Sequence, residues 1–199
     1  MTTASPARRS PALNLPNLLT YARVAAVPVV TALLFWPNDP SSRWIALAIF
    51  IAAGITDYFD GYFARAYAQH SVLGRMLDPI ADKLLVAACL LMLASDRTLA
   101  GAHLWAAIVI LCREILVSGL REYLAELKVG MPVSRIAKWK TLLQLVAIGF
   151  LIAGPAGEPI LPGTIKIGLG LLWIAAALTI YTGWDYLKTG IAHAIDGKP

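Results

Sequence analysis

Asp57 and Asp60 stand three residues apart, and Asp78 and Asp82 four apart, within the stretch from Gly54 to Lys83. Either spacing puts two carboxylates a turn apart on one helix face. Small residues share those faces: Gly61, Ala64 and Ala68 follow the first pair, and Ser71, Gly74 and Arg75 lead into the second. Two acidic stripes therefore flank one turn, and antiparallel packing of their helices gathers four carboxylates. An all-oxygen ligand set selects hard divalent ions such as Mg²⁺ or Mn²⁺. One or two such ions would balance the charge that Arg65 and Arg75 leave uncompensated. Paired ions also suit in-line displacement at phosphorus, which is mostly positioning and charge stabilisation. Gly61, Ala64 and Gly74 leave room for a phosphorylated group to approach the backbone.

The elements that must carry these residues are apolar. Of 199 residues 58% are hydrophobic and 15% charged, with a mean hydropathy of +0.67; a soluble domain usually carries about 25% charge. Long uncharged runs, extended by amphipathic flanks, reach the roughly 20 residues that cross a bilayer. They predict an all-α integral membrane protein with six transmembrane helices, near 18–36, 43–68, 74–95, 101–127, 136–154 and 163–188. Residues 1–13 form a polar tail, 14–188 the helical domain, and 189–199 a second tail. Turn-rich links around Pro37–Arg43, Ser95–Thr98 and Gly154–Gly163 alternate with basic links around Arg65–Arg75 and Lys128–Lys140. By the positive-inside rule both termini are cytoplasmic, which puts the acidic cluster at the cytoplasmic end of helices 2 and 3. The net charge of +5 is a bias toward anionic lipid headgroups, not a nucleic-acid footprint. Cys89 and Cys112 read as buried packing residues in apolar helices.

An ionised Asp at the bilayer centre costs about 2.5–3.5 kcal/mol. Four facing one another, even near the interface, weigh heavily against a total stability of roughly 5–15 kcal/mol. A solvated acidic rim with Asp–Arg pairs and no metal is the bland alternative. It does not explain four carboxylates in register with small residues between them.

The pattern D57-x-x-D60-G61-x-x-A64-R65-x8-G74-x-x-x-D78-x-x-x-D82 resembles the signature of the CDP-alcohol phosphatidyltransferases at every position. The resemblance implies a six-helix enzyme that holds a CDP-linked lipid by its nucleotide. An alcohol then attacks the lipid-side phosphorus, and CMP leaves. It further implies that Asp57, Asp60 and Asp78 bind metal and that Asp82 is both ligand and proton acceptor. Two Mg²⁺ or Mn²⁺ ions are implied, and a homodimer. Gly61, Ala64, Arg65, Ser71 and Gly74 would line the CDP-lipid site. On the first helix Asn17, Thr20 and Arg23 match the family's N-x-x-T-x-x-R element, which helps hold the nucleotide; Asn17 could equally cap that helix. His70 reads as a polar loop residue, and His103 and His193 lie at helix ends with no visible partner.

A second informative stretch runs from Cys112 to Gln144. Arg113 and Glu114 interrupt an apolar run, and an intramembrane charge is a functional candidate by default. Glu114 and Arg121 share a helix face and could pair. Arg113 either snorkels to the interface or binds an anionic substrate. Lys138 and Lys140, two apart, cannot share a face, so one faces the site and the other meets lipid phosphates. Arg113, Lys138 and Lys140 together suit an acceptor alcohol that bears phosphate. The segments "LREYLAEL" and "KWKT" resemble the bacterial branch of the family whose acceptor is sn-glycerol 3-phosphate, in the inner (cytoplasmic) membrane. Branches using myo-inositol phosphate, serine or phosphatidylglycerol share the aspartates and are the nearest alternatives. A cation-coupled transporter is the distant one, disfavoured by acids gathered at one membrane face and by the lack of an inverted repeat.

Overall fold

A computed structural model describes residues 15–67, 72–126 and 135–196. Six helices follow one another: α1 (Leu15–Leu34), α2 (Pro40–Tyr67), α3 (Val72–Ser95), α4 (Leu104–Glu126), α5 (Arg135–Gly157) and α6 (Thr164–Asp196), with a short 3₁₀ turn at Gly101–His103. The described residues contain no strand. α1 packs on α2 and α3, α5 packs on α2 and α6, and α4 leans on α6.

Local chemistry sets the helix ends. Asp39 caps α2, its carboxylate accepting from the Ser41 and Ser42 amides at 3.1 Å, and Pro40 takes the first helical position. The Ser42 hydroxyl, which also donates to this carboxylate, and then the two amides hold the Asp39 carboxyl below its ordinary value. Glu158 does the same for α6, accepting from Gly163 N at 2.7 Å and Ile165 N at 3.0 Å. α6 runs on to Asp196, well past the expected end at 188. α5 carries a kink at Gly154 (φ 44°), followed by Pro155.

Among the described residues four helices have stretches long and apolar enough to cross a membrane: Asn17–Leu34, Gly101–Ala125, Lys138–Gly157 and Thr164–Lys188. α2 offers, among the described residues, a shorter apolar stretch, Pro40–Thr56. In α3, Asp78, Asp82 and Lys83 occupy the first half and shorten its apolar run similarly. Six helices thus stand where six spans are expected, and among the described residues four of them are long and apolar enough to cross. Large apolar side chains point outward along the whole bundle, among them Trp36, Trp105, Ile115, Trp139, Ile180 and Trp184. A bilayer solvates such a surface.

Inside, Val30, Leu34, Phe50, Leu85, Leu90, Leu93, Ile110, Ile148, Leu151, Ile152 and Leu172 make one core. Small residues set the closest approaches: a Cβ on Gly168 would lie 2.9 Å from the Leu151 side chain, so α5 and α6 meet at a distance only glycine allows. Cys89 is buried as expected, but Cys112 is exposed. It lies on the outer surface of α4, where a thiol serves as a small apolar group toward lipid. His103 does have a partner, its Nδ1 accepting from Trp173 Nε1 at 3.0 Å.

Candidate active site

The signature is carried by three helices. On α1, Asn17, Thr20 and Arg23 share one face and are all buried, each engaged with its neighbours. Asn17 is the third residue inside α1 rather than ahead of it, so it does not cap the helix. On α2, Asp57, Asp60, Gly61, Ala64 and Arg65 lie in unbroken helix, which preserves the one-turn spacing of the two acids. On α3, Gly74, Asp78 and Asp82 do likewise. Ser71 lies outside the described residues, as do the side chains of Asp57, Asp60, Ala64, Arg65 and Asp78.

Asp82 is half-buried in the wall of a cavity of about 250 Å³ between α3, α4 and α5. Glu114, Ser118, Glu122, Gln144 and Lys83 contribute the other polar walls. This is slightly below the roughly 300–1,000 Å³ of a drug-sized ligand site, a volume for a small polar molecule. Lys83 spends its ammonium on its own helix, donating to the Pro79 carbonyl at 2.7 Å.

Behind Glu114 sit two cations. Lys140 Nζ, from α5, is bonded to Glu114 Oε1, and Arg113 Nη1 reaches the same oxygen at 3.3 Å. The α4–α5 pairing displaces the on-helix pair with Arg121, whose side chain is exposed. Lys140 is buried and within the electrostatic reach of Asp82, whereas Lys138 is exposed and is not brought to this cluster. Of the two lysines, Lys140 is the one that meets Glu114.

α6 aims Arg113. Arg113 Nη2 donates to Thr182 Oγ1 at 3.1 Å, and Thr182 is itself anchored to the Leu178 carbonyl. The guanidinium carbon lies 5.8 Å from the Tyr186 ring centroid, in cation–π range. A Cβ on Gly183 would come within 3.1 Å of Arg113 Cγ, so the arginine stem rests on a glycine. Among the described residues Arg113 Nε donates to nothing. Thr182, Gly183 and Tyr186 escape sequence reasoning because none is charged and each acts only through a helix distant in the chain. The signal that remained was negative: Arg113 has no acid a turn away on its own helix.

One carboxylate shared by the buried Lys140 and the half-buried Arg113 leaves a positive excess. Next to it stand an aspartate and a small cavity, an arrangement suited to an anionic alcohol whose hydroxyl lies near a base. The profile of the CDP-alcohol phosphatidyltransferases matches residues 13–181. The chain belongs to that family. It is 49% identical over 175 residues to a Rickettsia bellii protein named CDP-diacylglycerol–glycerol-3-phosphate 3-phosphatidyltransferase, covering 88% of this chain and 94% of that one. Proteins of the same name from Cereibacter sphaeroides (38% identity, 93% and 99% coverage) and Haemophilus influenzae (36%, 92% and 96%) are similar along nearly their whole lengths. Apolar helices and family together make this a multi-pass membrane protein.

CDP-alcohol phosphatidyltransferases are generally dependent on divalent metal. The donor chemistry here fits such an ion. α2 and α3 are helical through both aspartate pairs, so each presents carboxylates one turn apart. Of the further acids in the cavity wall, Glu114 is already engaged by Lys140 and Arg113.

Proposed function

We propose that this chain transfers the phosphatidyl group of CDP-diacylglycerol to sn-glycerol 3-phosphate, giving phosphatidylglycerophosphate and CMP. The observation that carries the reading is the Arg113–Glu114–Lys140 cluster beside Asp82, in a chain whose full-length relatives bear the name of that reaction. Asn17, Thr20, Arg23, Gly61, Ala64, Arg65, Ser71 and Gly74 hold the cytidine diphosphate end of the lipid. Arg113 and Lys140 hold the acceptor's phosphate, and Asp82 takes the proton of its attacking hydroxyl. The hydroxyl oxygen bonds to the lipid-side phosphorus. The bond from that phosphorus to the bridging oxygen breaks, and CMP departs with the electron pair. Asp57, Asp60, Asp78 and Asp82 would hold the divalent ions, Mg²⁺ or Mn²⁺ and two in number, which supply charge neutralisation at the pyrophosphate.

In this reading all six helices span the inner membrane of a bacterium. Both termini and the active site face the cytoplasm, where the basic links concentrate, and the working form is a homodimer. Inserting reporter cysteines at each end of the bundle tests the orientation: labelling of the Arg43 end only from the cytoplasmic side would reverse it.

CMP release from CDP-diacylglycerol by the purified protein tests the reaction, run against a panel of acceptor alcohols with and without EDTA. Metal-dependent release with glycerol 3-phosphate alone is the expected result. Release with serine or an inositol phosphate instead would keep the family chemistry and overturn the acceptor. Asp82→Asn should lower kcat about 10²–10⁴-fold while leaving CDP-diacylglycerol binding in place; near-normal turnover would remove Asp82 as the base.

A further inference from the structure

Gln144 lies one turn beyond Lys140 on α5 and is only 4% exposed. It lines the same cavity as Asp82 and Glu114. Its Oε1 is fully buried and, among the described residues, accepts no hydrogen bond. A buried amide oxygen left without a donor is destabilising, and a leucine or methionine at that position would avoid the cost. The amide is therefore placed for something that enters the cavity. Turning about its last side-chain bond exchanges acceptor and donors, so it can present either to the same point.

We propose that Gln144 is a specificity residue whose amide hydrogen-bonds the non-reacting hydroxyl of a phosphorylated polyol acceptor. The inference rests on the acceptor reading above and names what that reading leaves open. The cavity wall carries Asp82 on α3 for the reacting hydroxyl and Gln144 on α5 for a neighbouring hydroxyl, and Arg113 and Lys140, paired with Glu114 of that wall, stand behind it for the phosphate. Glycerol 3-phosphate carries those three groups on consecutive carbons. A hydroxyl both donates and accepts, which matches an amide that can do either. An acceptor without the middle hydroxyl leaves the amide unpaired, and a site built around a hydrogen bond rejects the analogue that lacks it.

The test compares sn-glycerol 3-phosphate with 3-hydroxypropyl phosphate, which has the reacting hydroxyl and the phosphate but no middle hydroxyl. The wild-type protein should prefer glycerol 3-phosphate by about 5- to 100-fold in kcat/KM, the range of one unpaired buried polar group. Gln144→Leu should bring that ratio to within about twofold, by losing activity toward glycerol 3-phosphate rather than toward the analogue. Gln144→Met, closer in shape, should do the same and serves if the leucine variant does not fold. KM for CDP-diacylglycerol should not move in either. Equal use of the two acceptors by the wild-type protein would overturn this inference alone, as would a ratio that survives both substitutions. No CMP release with glycerol 3-phosphate would overturn the acceptor reading, and this inference with it.

Discussion

Two arginines, Arg43 buried and Arg113 half-buried, sit near opposite ends of the same bundle, and their surroundings are opposites. Arg43, at the start of α2, is 1% exposed and has an acceptor for every nitrogen. Nε donates to the Pro37 carbonyl at 2.9 Å, Nη1 to the Ile152 carbonyl at 3.0 Å, and Nη2 to Thr98 Oγ1 at 3.2 Å and to the Asp96 carboxylate. The α5 kink supplies part of this. Pro155 has no amide hydrogen to give the Leu151 carbonyl, and Arg43 Nη1 reaches that oxygen at 3.4 Å. A Cβ on Gly154 would fall 2.5 Å from Arg43 Nη1, so the kink must be glycine. Among the described residues Arg113 shares the one carboxylate it reaches with Lys140 and has an idle Nε. A cation whose donors are all met by protein has a structural task. One that competes for too few acceptors has capacity left for a ligand.

Removing Arg43 is the largest test of this contrast. Arg43→Met leaves Asp96 buried without its partner and should cost about 3–5 kcal/mol. For a chain of this size that is a fall of about 6–20 °C in the unfolding midpoint. KM for both substrates should stay put in the protein that remains folded. A stable variant with a raised KM would mean that Arg43 belongs to a binding site after all.

Arg113→Ala should do the reverse. Loss of hydrogen bonds to a charged acceptor costs about 1.5–3 kcal/mol, a rise of roughly 10- to 150-fold in KM for glycerol 3-phosphate. KM for CDP-diacylglycerol should change little and the unfolding midpoint should hold, because relieving like charges around Glu114 offsets the lost contacts. Equal effects on both substrates would break the division between the two clusters.

The succession of helices was largely legible in the sequence, because helix periodicity and apolar length are local. Helix periodicity aligns Asp57 with Asp60 and Asp78 with Asp82, and apolar length marks the helices. The partners of the charges were not legible. Arg43 and Asp96 are 53 residues apart, and Glu114 and Lys140 are 26 apart; nothing in either segment ranks such a pair above the closer Glu114–Arg121. The period of α5 established that Lys138 and Lys140 diverge, but the facing helix decided that Lys140 turns inward. Gln144 carried no charge to mark it, and Cys112 closed the uncharged run that opens α4, where sequence does not distinguish core from lipid.

Gly183 sharpens the comparison more gently. Gly183→Ala puts a methyl group against the Arg113 stem, and the stem must shift. Small misplacements of a binding group carry large kinetic costs, so a rise of about 10-fold in KM for glycerol 3-phosphate is expected, with the same CDP-diacylglycerol KM. Shortening the displaced residue with Arg113→Lys in the Gly183→Ala background should add little, since the two changes disturb one contact. Full additivity would mean that Gly183 does not seat Arg113.

The smallest effect concerns the α5–α6 link, a few residues beyond the Gly154 kink that Arg43 fills. Glu158 accepts from the Ile165 and Gly163 amides, and these bonds hold its carboxyl below the ordinary value of 4.5. A depressed folded value means that the unfolded chain binds the proton more readily, so stability rises with pH through that interval. The contribution is complete above the unfolded value and disappears as pH falls through the folded one. In Glu158→Gln the unfolding midpoint should therefore lose part of its dependence on pH below about 4.5. Above that pH it should lie slightly under the wild-type curve, because a neutral amide caps the start of α6 less well than a carboxylate. Since this link belongs to the structural end of the bundle, acceptor KM near neutral pH should be the same in both proteins. A shifted acceptor KM with an unchanged pH dependence would show that the two ends are coupled through α6, which also carries the Thr182 and Gly183 seat of Arg113.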